Sequence, residues 1–331
     1  MKRSCREWVS LHLENDYKQI ATEALKKYSI KWDELVYLGK GDYATFRVST
    51  SSPDLKYLIK IHCSTMEIIT KEFIESELLW LEALASVPNL VLPTPLRNQD
   101  YELITEVRTD NEEMWKVTCY SWVNGEILNR QPTSKETARL AGLMATLHKH
   151  AIQWDVPKSI DRPVYNSANL LSSLTKLRHN FDLMTVEQFT WLEHTVQKIR
   201  SDIEKQTVTR DNWGIIHSDL HEGNYVFDRT HPRPIDFSAC GYGFYLFDIA
   251  ETFLHLYPEN RKIFISTYNK ERQLQENDVN LLESFFIWAI IRNFAFLSAN
   301  PIEHEFLSKS IPFVIQNYCK KYLKGESFLL N

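Results

Sequence analysis

The sequence predicts an α+β protein of two lobes: a small β-rich lobe over residues 1–120, a connection at 121–125 and a larger helical lobe over 126–331. Three observations carry this. The first third holds short runs of β-branched and aromatic residues separated by turn signals. From about residue 134 the apolar positions recur at helical spacing. The length of 331 residues suits two domains or one large domain of two lobes, and it can bury a sizeable core.

The elements follow in order. Residues 15–28 read as a helix with Ile20, Ala24 and Leu25 on one face and Asn15 or Asp16 as its cap. Short strands are expected at 35–38, 45–50 and 57–61, with Ser51-Ser52-Pro53-Asp54 turning the chain between two of them. Residues 67–86 form a predicted helix, since Phe73, Leu78, Leu81 and Leu84 share a face. Further strands are read at 90–96, 101–107 and 115–122. Helices follow at 134–150, 167–179 and 185–205, then at 246–256, 260–269, 278–298 and 304–323, with short strands and loops over 213–237.

Bulk numbers exclude several classes. Apolar residues make up 44% and charged residues 24%, the balance of an ordinary globular chain. A net charge of −5 advertises no nucleic-acid surface. Five scattered cysteines without a Cys-x-x-Cys pair argue against a disulfide framework or a zinc site built from them, so a cytoplasmic setting is expected. The first ten residues hold no apolar signal region, and the apolar run Phe285 to Ile291 is too short to span a bilayer, so no membrane partner is expected.

The chemistry concentrates in residues 217–237. His217-Ser218-Asp219-Leu220-His221-Glu222-Gly223-Asn224 is followed twelve residues on by Asp236-Phe237. Asp219 offers a carboxylate that can take the proton of an attacking hydroxyl. Asn224 and Asp236 offer hard oxygens of the kind Mg²⁺ prefers. Taken singly, each has a plain structural reading as a turn cap or hairpin closer; the order and spacing of the three together point to phosphoryl transfer. His217 reads as orienting the loop, and His221 as either a phosphate contact or a structural residue. His148 and His150 read as helix-end or packing residues.

A nucleotide-binding half can be read from the first lobe. Lys60, in Tyr57-Leu58-Ile59-Lys60-Ile61-His62, can hold phosphates as a point charge, or can be a solvated strand lysine. Glu77 is its expected partner, because among Glu72, Glu75 and Glu77 it alone begins the apolar register of Leu81 and Leu84. Gly39-Lys40-Gly41 can bring backbone N–H groups to phosphates, although such a turn also serves any hairpin.

Together these pieces resemble the aminoglycoside phosphotransferase family, protein-kinase-like enzymes that phosphorylate small molecules such as choline, homoserine, methylthioribose and macrolides. The resemblance runs from about Leu35 to Asn300. It rests on the 217–224 run, Ile235-Asp236-Phe237, Phe247-Asp248-Ile249-Ala250 and the segment Ala141 to His148. It implies a bilobal protein-kinase-like fold, Asp219 as catalytic base, Asn224 and Asp236 as Mg²⁺ ligands, and Lys60 paired with Glu77. It also implies that the Ser121 carbonyl and the Val123 amide meet the nucleobase, with Gly39 and Gly41 over the phosphates. Asp248 becomes a helper of the catalytic loop.

Departures sharpen the reading. His221 stands where protein kinases usually carry lysine, Asp236-Phe237-Ser238 replaces Asp-Phe-Gly, and Tyr43 falls where many relatives carry a small polar residue. No Ala-Pro-Glu follows, and the next helix begins near Leu246, which leaves no room for a peptide-binding activation segment. The expected function is transfer of the γ-phosphoryl group of ATP, or of GTP, to a hydroxyl of a small molecule. The alternatives are an atypical protein Ser/Thr kinase and a catalytically silent nucleotide-binding regulator of the same fold. Glu222, Glu251, Glu303 and Glu305 are candidates to meet a cationic acceptor, with solvated surface as their plain reading.

Overall fold

A computed structural model describes residues 5–41, 43–62, 69–110, 112–179, 183–275 and 277–331, with side chains from Glu14 onward. Contacts divide the chain into two compact units, Met1–Asn124 with Asp155–Arg162, and Gly125–Trp154 with Pro163–Asn331. Each is α+β in the expected sense, sheet-dominated first and helix-dominated second.

The first unit is built on an antiparallel sheet. Its strands are β1 (Glu34–Lys40), β2 (Tyr43–Ser49), β3 (Lys56–His62), β4 (Pro95–Leu96), β5 (Thr105–Arg108) and β6 (Met114–Ser121), in the order β1-β2-β3-β6-β4 with β5 also pairing β6. Alternation sets which face is buried: Ala44, Phe46 and Val48 of β2 point into the core with Ile59, Ile61, Val117 and Cys119. Helix α1 (Cys5–Leu25) covers this core with Tyr17, Ile20, Ala21, Ala24 and Leu25. It starts well before Asn15, so neither Asn15 nor Asp16 caps it. Helix α2 (Lys71–Leu84) is capped by Thr70, whose hydroxyl accepts from Phe73 N at 3.0 Å. It begins later than periodicity predicts; residues 67 and 68 of the expected helix lie outside the described residues.

Two expected strands shrink. Of 90–96 only Pro95–Leu96 pairs, because Pro88 and Pro93 cannot donate to a ladder and Asn89 is left-handed at φ 63°. Of 101–107 only Thr105 onward pairs, because Asn98 Oδ1 closes a turn on the N–H groups of Asp100 and Glu102 at 2.9 and 3.0 Å. Residues 155–162 join this unit although the chain order set them among the helices. Asp161 N–H donates to Ser76 Oγ at 2.8 Å, and the Arg162 guanidinium lies 3.9 Å from the Phe73 ring centroid.

The second unit holds α3 (Ser134–Gln153), α4 (Ser167–Arg178), α5 (Val186–Glu204), α6 (Tyr245–Phe253), α7 (Pro258–Glu271), α8 (Asp278–Leu297), α9 (His304–Val314) and α10 (Lys320–Lys324). Thr133, one residue before the expected start, caps α3 in a reciprocal box with Glu136. Helix α8 is the axis: α4, α5 and α6 pack on it, and Phe285, Ile287, Trp288 and Ile291 are fully buried. By length and composition α8 could cross a bilayer, yet here its apolar side chains fill the core of this unit. The expected 304–323 helix is interrupted by a π-helical turn, Ile315–Cys319, just after Pro312, which cannot donate back along the helix. The strands β7 (Val164–Tyr165), β8 (Trp213–Ile216) and β11 (Gly241–Phe244) form one small sheet, and β9 (Tyr225–Asp228) with β10 (His231–Pro234) forms a hairpin.

Candidate active site

In the first unit, β3 carries Lys60 opposite Thr45 of β2 and Thr118 of β6. Lys60 and Glu77 are both buried, at 4% and 2% exposure, and Nζ stands 3.6 Å from Glu77 Oε1. Tyr120 donates its hydroxyl to the same oxygen at 3.4 Å. The ammonium also faces the Tyr43 ring at 4.7 Å and the Tyr120 ring at 5.7 Å, so π-faces and a carboxylate fix its position together. Glu72 is exposed and Glu75 pairs with Lys71 at 3.9 Å, which leaves Glu77 as the glutamate of α2 that meets Lys60.

Gly39 bends the end of β1 at φ 141°, a conformation that side chains disfavour, and Thr45 Oγ1 donates to its carbonyl at 3.3 Å. Gly41 N–H donates to Tyr43 O at 3.1 Å; Asp42 lies outside the described residues. At the end of β6, Ser121 exchanges two hydrogen bonds with Thr94, each 2.9 Å, and Trp122 N–H reaches Lys56 O at 3.0 Å. Val123 N–H makes no hydrogen bond among the described residues.

In the second unit, residues 217–224 form a loop from β8 to β9. The loop is pinned on itself by His221 N–H to Asp219 O at 3.0 Å and Asn224 N–H to His221 O at 2.8 Å. Asn224 Nδ2 donates to Asp219 O at 2.9 Å and to Asp219 Oδ2 at 2.7 Å. That turns the amide oxygen away from Asp219, where it can meet a cation. Asp219 remains 42% exposed, open to a reactant. The β9–β10 hairpin returns the chain so that Ile235 N–H donates to Asn224 O at 2.8 Å, which sets Asp236 one residue beyond. Asp236 is left-handed at φ 52°, uncommon for a residue with a side chain, and Ser238 N–H reaches its Oδ1 at 3.3 Å. Asn224 and Asp236 each carry an oxygen donor of the kind a hard divalent cation takes.

Beneath the loop lies a buried network. Asp248 of α6 is fully buried and accepts from His217 N at 3.1 Å, Ser218 N at 2.6 Å and His148 Nε2 at 3.0 Å. His148 Nδ1 meets the Tyr268 hydroxyl at 2.7 Å, which in turn accepts from Arg272 at 2.6 Å. Burial alone would raise the Asp248 carboxyl, but the His148 hydrogen bond and charge, with His217 and the Ser218 amide, hold it below the usual range. Burial lowers His148 more than Asp248 raises it. The pair joins the Asp248 carboxylate to His148 Nε2. The Asp248 carboxylate anchors Ser218, left-handed at φ 60°, just before Asp219.

A second support comes from α8. Arg292 donates to Ser218 O at 3.2 Å and to Glu251 Oε1 at 2.6 Å. Burial pushes Glu251 up to about 7 against the pull of Arg292. Burial would lower Arg292, but Glu251 and Asp219 more than offset it and keep the guanidinium firmly protonated.

Sequence reasoning named Asp248 as a helper of the loop but not the residues that meet it. His148, read as a helix-end or packing residue, is buried and is a full member of the network. Glu251, at 7% exposure, faces Arg292 instead of a substrate or solvent. The available signal was the spacing of Asp248 and Glu251, three apart and so on one helical face. Glu305 is exposed and pairs with Lys309 at 2.6 Å. Glu222 contacts His255 at 2.8 Å. His221 Nε2 stands 3.7 Å from Asp219 Oδ2; burial disfavours its protonation, but Asp219, Glu222 and Asp236 together raise its pKa.

The model of the phosphotransferase enzyme family matches residues 38–278. A curated relative, amicoumacin kinase of Bacillus subtilis (strain 168), is 22% identical over 237 residues, 70% of this chain and 66% of that protein, just under two thirds of its length. Among solved structures, a microcompartment-associated aminopropanol kinase superposes with a TM-score of 0.80 at 20% identity, over 95% of this chain and 99% of that one. An amicoumacin kinase in complex with AMP-PNP, Ca²⁺ and Ami gives 0.76 at 14% identity, over 93% and 95%. A spectinomycin phosphotransferase with ADP and spectinomycin gives 0.64 at 13% identity, over 90% and 98%. At these identities the superpositions establish the fold.

Proposed function

The chain belongs to the phosphotransferase enzyme family, and from that membership we propose that it is a small-molecule kinase moving the γ-phosphoryl group of ATP, or of GTP, to an acceptor hydroxyl. The observation that carries the reading is Asp219: a half-exposed carboxylate with one oxygen held by Asn224, on a loop anchored to the buried Asp248. The kinases of amicoumacin and aminopropanol among its relatives support a small acceptor. The chain supports it too, because only residues 237–240 separate Asp236 from β11, too few for a segment that would carry a peptide.

In this reading Asp219 takes the proton as the acceptor oxygen attacks γ-phosphorus; the new O–P bond forms while the bond to the bridging oxygen breaks and the nucleoside diphosphate leaves. Lys60, steadied by Glu77, holds the α- and β-phosphates, with the Gly39 and Gly41 backbone beside them. The Ser121 carbonyl and Val123 amide meet the base edge. Asn224 and Asp236 would hold Mg²⁺. When bound, the ion supplies positive charge that offsets the repulsion between phosphate oxygens and nucleophile.

Asp219→Asn tests the assignment. Turnover should fall by roughly 10²–10⁴-fold, the usual worth of a general base. Nucleotide affinity by titration calorimetry should be unchanged. Full turnover in the variant would remove Asp219 from the mechanism. Label from γ-labelled nucleotide should enter a metabolite pool; label entering protein instead would favour a protein kinase.

A further inference from the structure

We propose that His221, Glu222 and His255 form a binding site for a zinc-class transition-metal ion at the edge of the catalytic loop, and that an ion bound there inhibits the kinase. The three side chains each offer a ligand atom, and these atoms lie within 4.8 Å of one another. Glu222 Oε2 already stands 2.8 Å from His255 Nδ1, and the two imidazoles stack at 5.0 Å with 25° between their planes. The site is empty.

The donor set selects the metal. Two imidazoles and one carboxylate suit Zn²⁺ and its neighbours, whereas Mg²⁺ prefers oxygens alone. Ligands about 2.0–2.1 Å from zinc stand roughly 3.4 Å apart in a tetrahedron, so a separation of up to 4.8 Å must close by at most about 1.4 Å, within reach of side-chain rotation. A tetrahedron leaves a fourth position for water.

The backbone that presents these ligands is fixed. His221 and Glu222 sit in the turn closed by Asn224 N–H to His221 O. Gly223 donates its N–H to His221 Nδ1 at 3.0 Å, and a Cβ at Gly223 would come within 2.8 Å of the His221 ring. The loop thus uses a residue without a side chain to seat that ring. His255 follows α6 in a turn held by Gln131, which donates to His255 O at 2.9 Å and accepts from Tyr257 N at 3.1 Å. His221 and His255 are half-buried and Glu222 is exposed, so an ion can enter from solvent. His221 Nε2 lies 3.7 Å from Asp219 Oδ2, and an ion on His221 would redirect that contact and crowd the proposed base.

The binding claim stands on geometry alone; the inhibition claim rests on the proposed function. Untagged full-length protein without nucleotide should bind one equivalent of Zn²⁺ by calorimetry, and Co²⁺ in its place should give the visible absorption of a tetrahedral or five-coordinate site. His255→Asn and Glu222→Gln should each weaken binding about tenfold or more, while Asp236→Asn should leave it intact. With Mg²⁺ in excess, Zn²⁺ should inhibit the wild-type kinase and spare His255→Asn, each measured against its own zinc-free rate. Equal Zn²⁺ binding by wild type and both site variants, or loss of binding in Asp236→Asn, would overturn the site. Binding that depends on His255 without inhibition would overturn the inhibitory role. If no acceptor supports turnover at all, the proposed function fails, and the calorimetry still decides the site.

Discussion

At the residue scale, Asp219 depends on the groups that hold its loop. Asp219 stays half-exposed because its support comes from the backbone around it, fixed by the charge of Asp248 below. Asp248 faces three donors, and replacing it with Asn sets an NH₂ group against at least one of them. Leaving buried donors without a well-matched acceptor costs about 1–3 kcal/mol. Asp248→Asn should therefore lower the unfolding midpoint in urea and reduce kcat more than it raises KM for nucleotide. Unchanged stability would mean that the network is not fully formed. Lys60 and Glu77 were legible because each sits in a period of its own, strand and helix. His148, Tyr268 and Arg292 were not, since each meets partners from positions 41 to 120 residues away and only packing reveals them.

At the element scale, capping and close approach set the position of the loop. Helix α3 starts at a reciprocal cap in which Glu136 binds Thr133 and Arg130. The Arg130 hydrogen bond is the largest influence on Glu136 and outweighs its burial, holding its carboxyl down at about 2 against an ordinary 4.5. A folded value below the unfolded one gives stability that is present above 4.5 and lost as pH falls toward 2. Glu136→Gln should be less stable than wild type above this window, and the gap should close across it. A gap that does not change with pH would show that charge contributes nothing. Gly125 begins the second unit at φ 155°, and a Cβ there would meet Val226 Cγ2 at 2.6 Å. It precedes Glu126, which exchanges hydrogen bonds with Phe227 of β9 at 2.9 Å in both directions. Gly125→Ala should cost about 1–3 kcal/mol through strain and overlap, read as a fall in Tm. The helices and the three-strand meander β1–β3 were legible because apolar periodicity is local. Strand β4 was overcalled because the apolar residues of 90–96 outweighed its prolines, and the end of α9 was missed because a π-turn leaves no periodic mark.

At the scale of the whole molecule, the order of a sheet-based unit and a helical unit was readable from composition and period, and the motif at 217–236 pointed to the family that the chain belongs to. The acceptor was not readable, because its contacts depend on helical side chains that no motif aligns. Family membership and the fold of several small-molecule kinases support the same reaction class without choosing the acceptor. In the proposed function Asp219 serves transfer to a small hydroxyl compound. The most direct measurement is acceptor-dependent release of nucleoside diphosphate across amino alcohols, sugars, aminoglycosides and macrolides, with wild type and Asp219→Asn side by side. The account predicts that at least one acceptor raises release by wild type, becomes phosphorylated, and does neither with the variant. Acceptor-stimulated release that persists at full rate in Asp219→Asn would contradict it.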